Sequence, residues 1–463
     1  MTCPLPVVRK IFSQIPLSKN GADMKRFVTL FFSCILVALL ARAQQEPAPT
    51  ESQLQKEQRL QWWREARFGM FIHWGPVSLK GTEISWSRGA ERRGIEGKGE
   101  VPAEVYDNLY KQFNPVKFNA NEWVSIAQSA GMKYIVLIAK HCDGFCMWRS
   151  SVDSYSIANT PFKRDVCGEL ANAAHKAGVR IGWYYSPMDW RDPDCRTERN
   201  QVYLKRMWGH LRELLGDYGT IDLLWFDADG GPVPWDQAYT YGLVRSLQPA
   251  LVINNRLDLG PMVDYRDQPI SPSADYRTPE QFVGSFDVQR PWETCMTLGT
   301  QWSWKPDDTI KTSDQCIRIL EQCATGDGNL LLNVGPMPNG EIEPRQVAVL
   351  KEIGLWLKKY GESIYATRGG PFRNGEWGGS TRRGNVIYLH ILKLKDGRLM
   401  LPPLEAKIKK STALSGGTVY TTQTADQIIV RMPNIKKNER ATLVKLELDR
   451  PVDNVRPLEV QSR

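Results

Sequence analysis

Between residues 60 and 365, short and continuously apolar runs alternate with longer stretches whose apolar positions recur every three or four residues. The runs at 68–74 (FGMFIHW), 134–140 (YIVLIAK), 179–185, 221–227, 251–256 and 329–335 predict strands. A strand apolar at every position is covered on both faces, which is the habit of a parallel sheet. The stretches at 119–131, 166–178, 201–219 and 345–361 have helical periodicity. Strand followed by helix, repeated at least six times, predicts a (β/α)8-like, TIM-type barrel rather than an open doubly wound sheet. No G-x-G-x-x-G follows the first run, which argues against dinucleotide binding.

The pattern changes near residue 366. A Gly-rich polar stretch gives way to segments with period-two alternation at 385–392, 397–404, 417–424, 427–433 and 441–449, joined by Pro, Gly and Asn turns. They predict a C-terminal antiparallel β-sandwich, and the chain divides into a barrel (44–365) and a sandwich (366–463). At the other end, Lys25-Arg26, an apolar core at 27–40 and the Ala41-Arg42-Ala43 site predict a secretory signal peptide with an N-terminal extension. The core is too short to span a bilayer. Cleavage after Ala43 makes the protein secreted or periplasmic, with no membrane span.

Composition changes this picture little, but charge changes it more. A 42% hydrophobic and 24% charged chain is ordinary globular protein, not disordered, collagen-like or multi-spanning. The net charge of +9 is unevenly spread. Residues 1–43 hold six Lys/Arg against one Asp, 44–365 hold 36 against 41 Asp/Glu, and 366–463 hold 18 against nine. No nucleic-acid motif accompanies the charge; it reads first as a solubilising surface, and the sharper alternative is an anionic glycan or surface met by the basic C-terminal domain. Seven of the nine Cys remain after the leader, an odd number unlike a disulfide scaffold. They read mainly as small buried hydrophobes, with a bridge or two left open. Cys142-x-x-x-Cys146 lacks the second pair a zinc site needs, and no metal or cofactor is predicted.

A barrel's site is built at the C-terminal ends of its strands. Those ends carry His73-Trp74, Lys140-His141-Cys142-Asp143, Tyr184-Tyr185, Asp227 and Asn255-Arg256. Aromatic faces with His, Arg and carboxylate suit a pyranose, whose C–H faces stack and whose hydroxyls need fixed partners. Glycoside hydrolysis requires two carboxyl groups beside the anomeric carbon. Asp227 is the nucleophile candidate because it closes an apolar strand, and Asp229 is its rival. Glu280, in a polar segment (257–290) read as a loop over the barrel mouth, and Glu293, in Trp292-Glu293-Thr294-Cys295, both qualify as acid/base. Spacing alone does not choose between them.

Five ordered motifs resemble the α-L-fucosidases of glycoside hydrolase family 29. They are RFGMFIHWG (67–75), AKHCDGF (139–145), LWFD (224–227), WETC (292–295) and GNLLLNVGP (328–336). The resemblance implies a retaining exo-fucosidase without metal or organic cofactor, acting on fucosylated oligosaccharide or polysaccharide. Asp227 is then the nucleophile and Glu280 the first choice of acid/base, with Glu293 second. By the same resemblance His73, Trp74, Trp86, His141, Tyr185 and Arg256 line the fucose subsite, and Trp302 and Trp304 wall its methyl group. Two departures stand out. The family usually has His-His where this chain has His141-Cys142, and Glu-Trp where it has Ser85-Trp86. Glu83 is expected to compensate from the same side of an extended segment. A shifted sugar preference, toward galactosides or modified fucose, and a non-catalytic carbohydrate-binding relative are the alternative readings.

Overall fold

The computed structural model describes residues 51–92, 95–228, 235–258, 269–433 and 440–460. The leader, Asp229 and part of the 257–290 segment lie outside the described residues. Seven parallel strands form the first sheet: β1 (Phe68–Ile72), β2 (Tyr134–Lys140), β3 (Arg180–Tyr185), β4 (Leu223–Phe226), β5 (Val252–Ile253), β6 (Glu293–Thr297) and β7 (Asn329–Val334). Their order is β5-β4-β3-β2-β1-β7-β6. The open side between β5 and β6 is bridged by 276–280, through single β-bridges from Asn254 to Tyr276, Arg277 to Trp292 and Glu280 to Cys295. That segment is the eighth stave of the barrel. The 257–290 stretch was expected as a loop over the mouth, but its described C-terminal half is barrel wall.

Helices pack outside: α1 (Gln53–Ala66), α2 (Ala120–Ser129), α3 (Val166–Ala177), α4 (Asn200–Gly216), α5 (Gln237–Leu247), α6 (Ser313–Thr325) and α7 (Pro344–Tyr360). Their ends follow local chemistry. Ser52 with Gln55 and Thr312 with Gln315 form capping boxes, Asp165 caps α3, and Gly178 ends it in the left-handed region. The helix α1 is special because Leu60 and Trp63 join the inner cluster of the barrel with Tyr134, Tyr276 and Leu331. It plugs the N-terminal end.

Residues alternate between that inner cluster and the helix-facing core. Phe71, Val136, Ile138, Tyr184, Leu223, Trp225 and Cys295 point inward, whereas Ile72, Leu137, Tyr185, Leu224 and Met296 face the helices. In β2 the register shifts between Ile138 and Lys140, so Ile138 pairs with Tyr184 and Lys140 with Tyr185. This bulge turns Lys140 outward and His141 inward.

Beyond the barrel lie two antiparallel sheets. One has the order β8-β9-β10-β15-β12 and the other β11-β14-β13, from β8 (Arg368–Gly369), β9 (Gly378–Arg383), β10 (Val386–Ile391), β11 (Arg398–Leu401), β12 (Ile408–Ala413), β13 (Tyr420–Gln423), β14 (Ile428–Arg431) and β15 (Thr442–Leu448). They enclose a separate apolar core around Ile387, Leu389, Leu401, Val430 and Leu446. The strand β9 is polar in sequence yet buried, because small residues let α6 approach: a Cβ on Gly379 would meet Thr325 at 2.5 Å. Barrel and sandwich are tied by Asp327, whose carboxylate receives Arg67 and Arg368, each at 2.6 Å, and the Gly369 N–H. All seven described cysteines are buried and unpaired.

Candidate active site

At the C-terminal mouth, β4 ends and Asp227 turns inward by the same parity as Trp225. The Tyr184 hydroxyl donates to Asp227 Oδ2 at 2.7 Å, and Arg256 Nη1 donates to Oδ1 at 2.9 Å. The other arm of Arg256 reaches Glu280 Oε2 at 2.6 Å. One guanidinium thus holds two carboxylates. It is itself fixed by Thr278 Oγ1 at 2.8 Å and by stacking over Trp225, and it is 3% exposed. Glu280 is pinned on both sides, since Cys295 N–H donates to Pro279 O and Gln281 N–H donates to Cys295 O, each at 3.0 Å.

These groups line a cavity of about 140 Å³ together with Phe71, His73, Trp86, His141, Cys142, Tyr184, Met188, Trp225, Cys295 and Trp302. That is room for about one sugar ring, well below the several hundred Å³ of drug-sized sites. The walls are ordered aromatics. His141 stacks on Tyr184 at 5.3 Å, Tyr184 on Trp225 at 5.5 Å, and Trp302 lies 4.7 Å from His73.

Both pocket histidines are held neutral. Burial drives His73 well below its ordinary value, with His141 adding to the effect. Burial likewise lowers His141 to about 3, helped by the Lys140 cation. His73 Nδ1 lies 2.6 Å from Asn333 Oδ1, and Asn333 Nδ2 donates to Trp302 O. An amide oxygen only accepts, so His73 carries its proton on Nδ1 and offers Nε2 as an acceptor. His141 Nδ1 meets Ser85 Oγ at 2.6 Å, and Ser85 Oγ also accepts the Asp143 N–H. Ser85 is therefore an orienting group for His141. Burial raises the Cys142 and Cys295 thiols well above their ordinary value, so they are neutral, apolar wall.

Of the residues expected from sequence, Asp227, Glu280, His73, Trp86, His141, Arg256 and Trp302 share this pocket. Four do not line it. Glu293 is fully buried at the start of β6, one inner layer below Cys295 and beside the α1 plug. It accepts from Trp63 Nε1 and Trp225 Nε1, both at 3.3 Å, and from the Tyr134 hydroxyl. Trp74 faces Phe113, Phe118 and Trp123 and donates to Met337 O. Tyr185 faces the helices and meets His210 Nδ1 at 3.0 Å. Trp304 packs behind Gly81. Glu83 does not enter the pocket either, because it accepts the backbone N–H groups of Ile84, Trp302 and Ser303 and anchors the Trp302 loop. Ser85 has φ 57°, so the extended geometry assumed for 83–85 does not hold.

Trp225 and Phe71 were not singled out from sequence, and Tyr184 only as a strand end together with Tyr185. Parity carries a signal for them. If Asp227 faces inward so does Trp225, and Gly182, whose Cβ would meet Leu223 O at 2.6 Å, marks the inner face of β3 two residues before Tyr184.

A parallel barrel that sets two carboxylates across a one-sugar pocket at its C-terminal mouth defines a glycoside hydrolase. Residues 35–362 match the α-L-fucosidase family. The α-L-fucosidase isoenzyme 1 of Paenibacillus thiaminolyticus is 34% identical with TM-score 0.73, over 85% of this chain and 99% of its own. An α-L-fucosidase of Bacteroides thetaiotaomicron, solved as a trapped covalent intermediate with 2-fluoro-fucosyl fluoride, is 29% identical with TM-score 0.74, over 84% and 96%. Human plasma α-L-fucosidase is 28% identical over 374 residues, 74% of this chain and 78% of its own. The chain belongs to glycoside hydrolase family 29, the α-L-fucosidases.

Proposed function

We propose that the protein is a secreted, retaining exo-fucosidase that removes terminal α-L-fucosyl residues, with Asp227 as nucleophile and Glu280 as acid/base. The single observation that carries this is the Arg256 fork, which brings these two carboxylates to one sugar-sized cavity. Asp227 attacks the anomeric carbon while Glu280 protonates the departing glycosidic oxygen. The glycosyl ester is then hydrolysed by water that Glu280 deprotonates, and configuration is retained. The pocket is closed below by Trp225, which suits exo action on a terminal residue. The phenol of Tyr184 and the fork of Arg256 hold Asp227 oriented. His73 and His141, both neutral, select hydroxyls, and Phe71, Trp302 and the neutral thiols offer an apolar wall to a 6-deoxy carbon. The trapped covalent intermediate of the Bacteroides relative supports a covalent glycosyl-enzyme step here.

Asp227→Asn is expected to abolish fucose release, and near wild-type turnover in that variant would sink the assignment. In Glu280→Ala, azide is expected to restore turnover and yield fucosyl azide, whereas Glu293→Ala yields none. Cys142 in the wall and Ser85 beside His141 support the reading of an altered hydroxyl preference, which a panel of aryl glycosides decides. Measurable fucose release also ends the reading of a non-catalytic carbohydrate binder. For export, the mature N-terminus is expected directly after Ala43.

The division of labour between a catalytic barrel (44–365) and a binding sandwich (366–463) rests on charge. On the outer face of the smaller sheet, Arg398 and Arg431 are exposed and directly opposed across β11 and β14, in register with exposed Tyr420 on β13. Like charges so placed repel, and among the described residues neither has an ion-pair partner. A sulfated or otherwise anionic glycan would offset that repulsion. Retention on a sulfated polysaccharide column is expected at low salt, lost at high salt and weakened in Arg398→Ala/Arg431→Ala. Absence of low-salt retention refutes it.

A further inference from the structure

Away from the sugar pocket, three ligand-type side chains converge behind β3. Cys146 and Asp153 lie on the loop that follows β2, and His210 lies on α4. One ligand atom from each falls within 4.8 Å of the other two. We propose that Cys146, Asp153 and His210 form a structural site for a divalent zinc-class ion that staples the 146–156 loop to α4.

Four observations carry it. First, His210 is 1% exposed, and its Nε2 has no hydrogen-bond partner. A buried polar nitrogen left unpaired is costly, and a metal bond satisfies it. Second, His210 Nδ1 lies 3.0 Å from the Tyr185 hydroxyl. With Nδ1–H donating to that oxygen, Nε2 keeps an unshared lone pair, and outer-shell partners of this kind orient ligating histidines. Third, the loop is already folded back for the purpose. Cys146 N–H donates to Tyr155 O, Ile157 N–H donates to Cys146 O, and Tyr155 N–H donates to Asp153 Oδ1. Fourth, α4 lets the loop come close where a glycine precedes the histidine, since a Cβ on Gly209 would sit 2.9 Å from Val152.

Thiolate, imidazole and carboxylate around one ion make a mixed N/O/S set suited to zinc. Zinc bond lengths of roughly 2.0–2.3 Å place ligand atoms about 3–4 Å apart, a small contraction from the present arrangement. One thiolate and one carboxylate neutralise a divalent ion. The nearby charges are already committed: Lys140 faces Asp189 at 3.5 Å and the carbonyls of Ser186 and Met188, and Glu213 accepts from Trp148, Ser150 and Ser151. Asp153 is only half-buried, which leaves solvent a route to the ion and room for a water as fourth ligand. This site lies outside the cavity that holds Asp227 and Glu280, so its role is to hold the loop that leads from His141 and Cys142, not to take part in bond cleavage.

The test uses the intact protein freed of metal by chelator and re-equilibrated with Zn²⁺ or Co²⁺. One ion per chain is expected, with a near-ultraviolet thiolate-to-Co²⁺ charge-transfer band and a raised melting temperature. Cys146→Ser should abolish the band. Tyr185→Phe should weaken affinity about 10–100-fold as an outer-shell loss. Asp153→Asn, at the half-buried edge and so least disruptive of folding, should weaken binding while leaving the melting temperature of the metal-free protein unchanged. Absence of stoichiometric uptake, a Co²⁺ spectrum lacking the thiolate band, or uptake unaltered in both Cys146→Ser and Asp153→Asn would each overturn the assignment.

Discussion

Replacing Glu293 by Gln separates two roles that a buried glutamate next to an active site can have. Desolvation pushes the Glu293 carboxyl up to about 7 from its ordinary 4.5, against the pull of the hydroxyl and indole donors around it. In the unfolded chain it ionises near 4.5; in the folded chain it holds its proton to about 7. The folded state therefore binds more protons across that window, and stability falls as pH rises through it. The full contribution is present below about 4.5 and is gone above about 7. A rise of this size corresponds to about 3 kcal/mol, undiminished by solvent because the side chain is wholly buried. Gln cannot ionise, so the wild-type advantage over Glu293→Gln should shrink by about 3 kcal/mol from pH 4.5 to 7 and stay level beyond. The amide –NH₂ faces at least one indole or phenol donor, which adds a constant offset of about 1–3 kcal/mol; the slope is thus the readout, from urea unfolding at half-unit pH steps. The same variant should keep kcat within about tenfold of wild type, because Glu293 touches the pocket only through Trp225, whereas loss of a true acid/base costs about 10²–10⁴. A pH-independent stability difference, or a kcat loss equal to that of Glu280→Gln, refutes this account of Glu293.

Other expectations follow from single contacts. Arg256→Lys keeps the charge but cannot bridge two carboxylates; with one charged hydrogen bond lost at about 1.5–3 kcal/mol, kcat/KM should fall about 10–100-fold in steady-state assays. Ser85→Ala removes the partner of His141 and of the Asp143 N–H. KM should rise several-fold, and at about 1 kcal/mol per lost buried bond the melting temperature should fall by a few degrees. Asp327→Asn leaves the buried Arg67 and the partly exposed Arg368 facing a neutral group and should cost about 3–5 kcal/mol in chemical denaturation, chiefly through Arg67. Arginine neighbours hold Asp327 below its ordinary 3.8, so its contribution is present above that value and is lost as pH falls below it.

The barrel was legible wherever a strand was apolar throughout. Six of its seven strands coincide with apolar runs, because burial on both faces leaves no polar interruption. The runs fail where hydrogen bonds rather than apolar contact build the wall. The stave at 276–280 contains Arg277 and Glu280, bonds through isolated bridges, and reads as loop. The strand β9 fails for another reason, since tight helix packing selected Gly, Ser and Thr over large apolar residues. In the pocket, residue type was legible but direction was not. Tyr184 and Tyr185 are chemically identical, and one step of parity sends one to Asp227 and the other to His210. The bulge in β2 decides that His141 faces inward, and nothing in the local sequence announces it.

The irregular stave has a further consequence for how this scaffold tolerates change. Asp227 ends a strand paired along its length, and an insertion there would rotate every inward side chain of β4. Glu280 sits where the wall is stitched by single bridges. Residues added or removed upstream of 276 need not propagate into the interior, since no continuous ladder transmits the slip. The molecule thus keeps the proposed nucleophile, Asp227, in the rigid part and the proposed proton donor, Glu280, at a seam. Such a seam is the natural place for grafting loops that reach toward the leaving group, and for tuning which aglycone is accepted while the sugar cavity stays as it is.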